Sequence, residues 1–306
     1  MRVMVTGGAG FIGSHLVDRL VEHGHEVLVV DDLSQGIREN VHPKARLIVQ
    51  DITDPTIRKV LLDFKPQVVY HWAAHIDVRK SVSEPYIDAR TNVIGMLNLL
   101  EASREARVRR VVFASTGGAI YGETPEPASE MMLPNPISPY AVSKLACEGY
   151  LYCYNLWHDL PCVALRYANV YGPRQDPLGE AGVVAIFSQK LLNGEAPTLY
   201  GHGHLERDYV FVTDAVEAAI RALDRGDGEV INIGTGVATS VSDLYRMMGK
   251  ICGYAPEPRL TDARPGELRK SILDWSKAER VLQWRPGISL NEGLKRTIDW
   301  FRDREN

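Results

Sequence analysis

The chain has 306 residues, of which 45% are hydrophobic and 24% charged, with a formal net charge of −4. That profile fits a globular protein with a large core and room for a second, smaller lobe, and it lacks the clustered Lys and Arg that nucleic acid or an acidic membrane surface would require. No apolar run approaches the ~20 residues of a membrane span. The four cysteines, Cys147, Cys153, Cys162 and Cys252, form no C-x-x-C pair and stand near no histidines at zinc spacing, so neither a metal site nor a disulfide framework is expected. The opening "MRVMVTGGAG" runs straight into an apolar strand and a glycine turn rather than a leader's charged start and apolar core, so a reduced, cytoplasmic setting is expected.

Five apolar runs come first: "RVMVT" (2–6), "EVLVVD" (26–31), "RLIVQD" (46–51), "QVVYHWA" (67–73) and "RRVVFAS" (109–115). They are continuous rather than alternating, as strands covered on both faces must be. Helical patterns such as "IGSHLVDRLVEHG" and "NVIGMLNLLEASREA" separate them. The alternation predicts an α/β fold with a Rossmann-type, doubly wound parallel sheet. A long helix in "PISPYAVSKLACEGYLYCYNLWHD" and a further run, "PCVALRYANVYG", extend the sheet to about residue 170. Residues 1–170 are therefore expected to form the dinucleotide-binding domain, with some later segments returning to it. Residues 171–306 are expected to form mainly a substrate lobe, with a helix after the 172–182 loop, a short strand near Leu199, a helix from Thr213, the strand "EVINIG" and two terminal helices around "QWRPG".

Between the first strand and helix, "VTGGAGFIGSHL" holds Gly8, Gly10 and Gly13 in G-x-G-x-x-G spacing, and equally Gly7, Gly10 and Gly13 in G-x-x-G-x-x-G spacing. Such a turn admits a pyrophosphate close to the backbone and aims a helix N-terminus at it. Asp31 ends strand two, where a carboxylate accepts hydrogen bonds from the adenosine ribose and repels the extra phosphate of NADP, so NAD is the expected cofactor. Asp31 and its neighbour Asp32 also fit the start of a solvated loop. Asp51 and Ile52, after strand three, either bracket the adenine or, for Asp51, cap the next helix. Ala73 and Ala74, after strand four, either line the cofactor channel or pack closely.

In "SPYAVSK", Tyr140 and Lys144 stand four apart and so share a helix face. A phenol of pKa ~10 becomes a usable base when a neighbouring ammonium favours phenolate. Thr116, at the end of the fifth strand after Ser115, is the candidate to hydrogen-bond the reacting oxygen.

Taken with "TGGAGFIGSH", "STGGAIYG", "RYANVYGPRQDP", "GEAGVVAIF", "ERDYVFV", "NIGTG" and "RPGELRKSILD", the chain resembles over almost its whole length the extended short-chain dehydrogenase/reductases, and within them the nucleotide-sugar 4-epimerases of UDP-glucose 4-epimerase type. The resemblance implies a Rossmann domain holding tightly bound NAD, a C-terminal lobe holding a UDP-sugar, and Thr116, Tyr140 and Lys144 as the catalytic trio. Cofactor contacts implied by it are Gly7, Gly10, Phe11, Ile12, Gly13, Asp31, Asp32, Asp51, Ile52, Ala73, Ala74, Asn92, Ser115, Tyr140, Lys144 and Tyr167. Substrate contacts implied by it are Thr116, Asn169, the backbone near Val183 and Val184, Arg207 and Arg264 on the diphosphate, Glu267 on the uridine ribose, and Ser271. Arginine suits a diphosphate because its planar fork donates paired hydrogen bonds; the other reading of each Arg is a surface ion pair, for Arg207 with Glu206 or Asp208.

Gly117 and Gly118 follow Thr116, where related dehydratases carry an Asp-Glu pair and related decarboxylases a Glu. Elimination and decarboxylation need an acid or base beside the keto sugar, and glycine supplies none. The pair also fits a loop of unusual dihedrals or a close backbone approach. Ser271 matches a position where tyrosine in some relatives narrows the pocket at sugar carbon two, so the resemblance implies room for an N-acetyl group. Departures from the family pattern are Asp77, where a small residue is usual near the sugar, and His202 and His204 in "GHGHLERDY". The expected activity is interconversion of UDP-galactose and UDP-glucose. Another NAD-dependent transformation of a nucleotide sugar and a non-catalytic nucleotide-binding protein stand as alternatives. The apolar faces of "NVIGMLNLLEASREA" and "YAVSKLACEGYLYCY" lead to the expectation of a homodimer through a four-helix bundle.

Overall fold

The computed structural model describes residues 1–178, 182–264 and 266–305. Residues Gly179 to Ala181 of the "GEAGVVAIF" motif and Pro265 of "RPGELRKSILD" lie outside the described residues. In chain order the first half contains β1 (Arg2–Thr6), α1 (Phe11–Glu22), β2 (Glu26–Asp31), β3 (Arg46–Val49), α2 (Ile57–Phe64), β4 (Val68–His71), α3 (Val78–Ser83), α4 (Pro85–Ala89), α5 (Gly95–Glu105), β5 (Arg110–Thr116), α6 (Gly117–Ile120), α7 (Pro139–His158) and β6 (Cys162–Tyr167). A π-helical turn, Arg90–Ile94, leads into α5. The second half contains β7 (Asn169–Tyr171), α8 (Val183–Leu192), β8 (Thr198–Leu199), β9 (Glu206–Phe211), α9 (Val212–Arg221), β10 (Val230–Ile233), β11 (Ala238–Ser240), α10 (Val241–Cys252), β12 (Arg259–Leu260), β13 (Lys270–Ser271), α11 (Ser276–Leu282) and α12 (Leu290–Glu305).

Seven strands form a parallel sheet in the order β10-β6-β5-β4-β1-β2-β3. Both faces are covered, and Val3, Val5, Val29 and Tyr70 on one side, Met4, Leu28, Val69 and Val111 on the other, belong to two separate apolar clusters. Burial on both faces is why the inner strands read as unbroken apolar runs; β3, at the sheet edge, has no buried residue, and its Val49 is exposed. The strand order reverses between β1 and β4, and ligands of open α/β sheets bind in the crevice at the carboxyl ends of such a switch point.

The run "PCVALRYANVYG" is not one strand. It breaks at Ala168: β6 stays in the large sheet, while β7 pairs in parallel with β9 in a second, four-stranded sheet with β11 and β13. The large sheet therefore takes its last residue from this run at Tyr167, and its outer strand is β10, which returns from the far end of the chain. A helix not expected from the sequence, α10, is capped by the Ser240 side chain accepting from the Asp243 N–H at 3.0 Å. Its apolar positions, Val241, Leu244, Tyr245 and Met248, bury one stripe against the core.

Candidate active site

The glycine turn sits at the switch point. Gly7 has φ +71°, and a Cβ there would lie 2.5 Å from the Ala73 N and 2.6 Å from the Trp72 carbonyl carbon, so only glycine lets the turn abut the end of β4. A Cβ on Gly8 would strike Val29, and one on Gly13 would strike the Gly7 carbonyl. Gly10 differs: its Cβ would meet nothing nearer than the Gly7 O at 3.3 Å. It is also the N-cap of α1, which has no side-chain cap and no acidic residue in its first turn. The N–H groups of Phe11 and Ile12 thus belong to an unneutralised helix N-terminus facing open space, a fit for a pyrophosphate.

Asp31 holds this turn from the side. Its buried carboxylate accepts from the Ala9 N–H at 2.9 Å and the Leu33 N–H at 3.0 Å, and burial pushes its pKa up against those two bonds. Asp32 is exposed and accepts from the Ser34 N–H and hydroxyl at 2.9 and 2.7 Å. Asp51 is also exposed and binds the N–H and hydroxyl of Thr53 at 2.7 and 2.8 Å. It does not cap α2, which starts at Ile57 after Thr56. Ile52 is buried against Gly95, where a Cβ would lie 2.6 Å from its Cδ1. The Ala73 N–H reaches the Thr6 hydroxyl at 3.3 Å, and both Ala73 and Ala74 are half-buried.

Two of the expected cofactor contacts have polar groups already engaged. The Asn92 amide donates to the His75 carbonyl (3.0 Å), Asp88 (3.1 Å) and the Ser143 hydroxyl (3.1 Å), and its oxygen accepts from the His75 N–H at 2.8 Å. It therefore clamps the segment after Ala74 to α4 and α7. Tyr167 sends its hydroxyl to the Ala215 carbonyl at 3.2 Å and packs against Trp72, offering a wall rather than a donor.

Three successive residues of β5 meet three residues of α7 spaced one turn apart. The Lys144 Nζ donates to the Ala114 carbonyl at 2.8 Å, the Ser115 hydroxyl donates to Glu148 at 2.5 Å, and the Thr116 hydroxyl stands close enough to the Tyr140 phenol to pull its pKa down. Proline at the first turn of α7 and a Ser138 cap accepting from the Ala141 N–H fix where the helix begins, and with it the register of these contacts. Lys144 is 3% exposed, lies over the Phe113 ring at 4.6 Å and faces the Tyr140 ring at 6.0 Å. Burial lowers its ammonium to about 8, against the raising influence of Cys147, Asp88 and Glu148. Burial raises the Tyr140 phenol, Thr116 pulls it back, and Asp88 raises it.

Ser115 is therefore committed to Glu148 rather than facing the cofactor crevice. Gly117 and Gly118 form α6 with ordinary helical backbone, and neither has a positive φ. Unusual dihedrals do not explain them. A Cβ on Gly117 would lie 2.5 Å from Leu273 Cδ1 and 3.2 Å from the Arg166 carbonyl, whereas one on Gly118 would meet only Asn169 Oδ1 at 3.4 Å. The first glycine serves close packing and the second leaves space.

Asn169, exposed on β7, stands opposite Tyr209 of β9, and Ser271 of β13 stands opposite Arg207. Ser271 is buried, with its hydroxyl 3.5 Å from the Gly118 carbonyl. Arg207 is half-buried and donates to the Glu206 carbonyl at 2.8 Å; burial lowers its pKa, while Tyr209, Glu267 and Glu123 raise it. The surface ion-pair reading of Arg207 does not hold: among the described residues, Glu206 pairs with Lys270, and Asp208 accepts from Thr235, Gly236 and Leu273. Arg264 stacks on the Tyr200 ring at 3.8 Å, and its N–H donates to Glu267 at 2.8 Å. Val184 is buried and Val183 half-buried at the start of α8, whose N-cap, Gly182, provides no side-chain acceptor.

The departures from the family pattern find ordinary places. Asp77 caps α3 by accepting from the Lys80 N–H at 2.7 Å, and His202 pairs with Asp262 at 3.0 Å on the surface. No group of three or more His, Cys, Asp or Glu among the described residues has the arrangement to hold a metal.

A family model described as "NAD dependent epimerase/dehydratase family" matches residues 3–234. The chain is 48% identical to a UDP-glucose 4-epimerase of Mycolicibacterium smegmatis, covering 99% of each protein. Its fold matches the crystal structure of a Thermotoga maritima UDP-glucose 4-epimerase with UDP-glucose at a TM-score of 0.99 and 48% identity, covering 100% of both chains. A Thermus thermophilus UDP-glucose 4-epimerase in complex with NAD matches at a TM-score of 0.94 and 45% identity, covering 99% of both. The chain belongs to the NAD-dependent epimerase/dehydratase family.

Proposed function

We infer that this chain is a UDP-glucose 4-epimerase, an NAD-dependent isomerase that interconverts UDP-galactose and UDP-glucose. The observation that carries the reading is Lys144, anchored on the Ala114 carbonyl and facing the Tyr140 ring, beside a residue, Gly118, with no side chain to act as a further acid or base. Tyr140 as phenolate takes the proton from the hydroxyl at sugar carbon four, and Thr116 hydrogen-bonds the reacting oxygen. The Lys144 ammonium stabilises the phenolate. NAD, when bound, would supply the acceptor and donor for the carbon-four hydride. The space over Gly118 lets the keto sugar present its other face, and the absence of a carboxylate there leaves water loss and decarboxylation without a catalyst. Gly7, Gly10, Phe11, Ile12, Gly13, Asp31 and Lys144 are the residues that would hold the cofactor. Conversion of UDP-galactose to UDP-glucose by the purified protein, without added NAD, tests the reading; formation of a decarboxylated or dehydrated sugar sinks it.

On the substrate side, Arg207 and Arg264 fit the diphosphate, Glu267 the uridine ribose, and Asn169 with the backbone at Val183 the rest of the nucleotide sugar. Arg207 supports this because it is half-buried without an ionic partner among the described residues. Ser271 beside Gly118 favours acceptance of N-acetylated UDP-hexoses. The homodimer reading, made on the helices of "NVIGMLNLLEASREA" and "YAVSKLACEGYLYCY", is supported by Ile94 before α5 and by Val142, Tyr150, Tyr152, Leu156 and Trp157 on α7, all exposed. No helix among the described residues is long and apolar enough to cross a membrane. The four free cysteines fit the reduced cytoplasm.

A further inference from the structure

Behind the catalytic contacts lies a second set of buried polar groups that proton transfer does not use. Ser115, Arg166 and Asn232 are register partners across β5, β6 and β10, forming one row at the carboxyl end of the sheet. Glu148 reaches this row from α7, one helical turn beyond Lys144. It accepts from the Ser115 hydroxyl at 2.5 Å and from Arg166 through Nε at 2.9 Å and Nη2 at 2.6 Å. The third guanidinium nitrogen, Nη1, donates to the Tyr121 hydroxyl at 2.7 Å, which donates to Asn232 Oδ1 at 2.8 Å. Asn232 in turn donates to the carbonyls of Ala128 (2.8 Å) and Asp274 (3.2 Å), next to Leu273, the residue packed on Gly117. All five side chains are buried.

An ion pair taken out of water is weak evidence for stability, because desolvation offsets most of the attraction, and apolar replacements of similar volume are often as stable. Its placement, rather than its strength, is informative. Glu148 and Lys144 grip adjacent residues, Ser115 and Ala114, immediately before Thr116. We propose that Glu148 and Arg166 are positioning residues for the Tyr140/Lys144 pair: they seat the end of β5 against α7 and place a balanced, net-neutral charge pair behind the ammonium. This rests on the epimerase reading of the same site.

The titratable groups around Lys144 are Tyr140, Cys147 and Glu148 on its own helix, His71 at the end of β4, Asp88 on α4 and, behind Glu148, Arg166. Burial keeps His71 neutral, its pKa lowered to about 3. Removing the Glu148 charge alone would leave the Arg166 cation uncompensated and favour phenolate at Tyr140 and free amine at Lys144. Removing both charges with apolar side chains would restore the balance but leave the Ser115 hydroxyl without its acceptor.

The experiment compares wild type, Glu148→Gln and the double variant Glu148→Met/Arg166→Met. Two readouts are used: kcat and KM with UDP-galactose, and the Tyr140 phenolate absorbance, titrated as the difference from a matched Tyr140→Phe background. The expected result is a phenolate midpoint lowered by on the order of one pH unit in Glu148→Gln and restored in the double variant. Both are expected to lose about tenfold or more in kcat with KM within about twofold. A folded Glu148→Gln with wild-type midpoint and kcat overturns the proposal, as does a double variant with wild-type kcat. Should Glu148→Gln fail to fold, the double variant decides alone, through its kcat. The absorbance titration needs no turnover, so an inactive wild type would refute the epimerase reading while leaving the charge coupling measurable.

Discussion

The Lys144 ammonium faces the Tyr140 ring at 6.0 Å and is anchored on the Ala114 carbonyl at 2.8 Å, two residues before Thr116, whose hydroxyl lowers the pKa of the phenol. Base, cation and hydrogen-bond donor are thus held by one helix and the end of one strand. Removing the phenolic oxygen takes away the base and leaves the scaffold. Tyr140→Phe is expected to lower kcat by about 10²- to 10⁴-fold with KM little changed. Steady-state kinetics with UDP-galactose check this, and a variant with wild-type turnover would require another base.

Burial of Lys144 gives a pH signature in stability. Its folded pKa is lowered to about 8, whereas an unfolded lysine keeps its proton to about 10.4. Between those values the unfolded chain binds more protons, so this group's contribution to stability rises with pH. Lys144→Met removes the buried charge. The variant is expected to be inactive yet more stable than wild type at pH 7, with that advantage shrinking by about 3 kcal/mol as pH rises to 10. Urea denaturation at several pH values measures it; a pH-independent difference would contradict a buried, charged Lys144.

The two glycines after Thr116 should respond differently to a methyl group. A Cβ on Gly117 would lie 2.5 Å from Leu273 Cδ1, whereas one on Gly118 would meet only Asn169 Oδ1 at 3.4 Å. Gly117→Ala is expected to cost about 1–3 kcal/mol through overpacking. Gly118→Ala, within a helical turn, is expected to be neutral or slightly stabilising. Thermal unfolding of both variants distinguishes them.

Most of the fold was legible because strands covered on both faces must be mainly apolar, as β1, β2, β4, β5 and β6 are. The break at Ala168 was not, since β6 and β7 run on in sequence and only their pairing separates them. Tyr140, Lys144 and the glycine turn carry their chemistry in their spacing. The Glu148–Arg166 pair does not, because its partners come from helix and strand. Two signals pointed to it: an arginine inside the apolar run "CVALRY", and a glutamate four residues after Lys144 on a helix packed against the sheet. Asp51 and Asn92 show the opposite case, where a polar residue at a site edge is bound by the protein's own backbone and side chains.

Ser271 lies 3.5 Å from the Gly118 carbonyl, in the space a bulky side chain would claim. Ser271→Tyr is expected to lower the activity ratio of UDP-N-acetylglucosamine to UDP-glucose by about tenfold or more, the scale of steric discrimination in a pocket. An unchanged ratio would remove Ser271 from the account of specificity.

Oxidation and return of one hydride within a single site, with Tyr140 as its base, can be followed by the fate of the hydrogen at sugar carbon four. The most direct measurement uses UDP-galactose carrying deuterium at sugar carbon four, incubated with the purified protein without added NAD. The expected product is UDP-glucose with the deuterium retained at carbon four and no net reduced cofactor. Loss of the label to solvent, or conversion only with stoichiometric NAD, would contradict it.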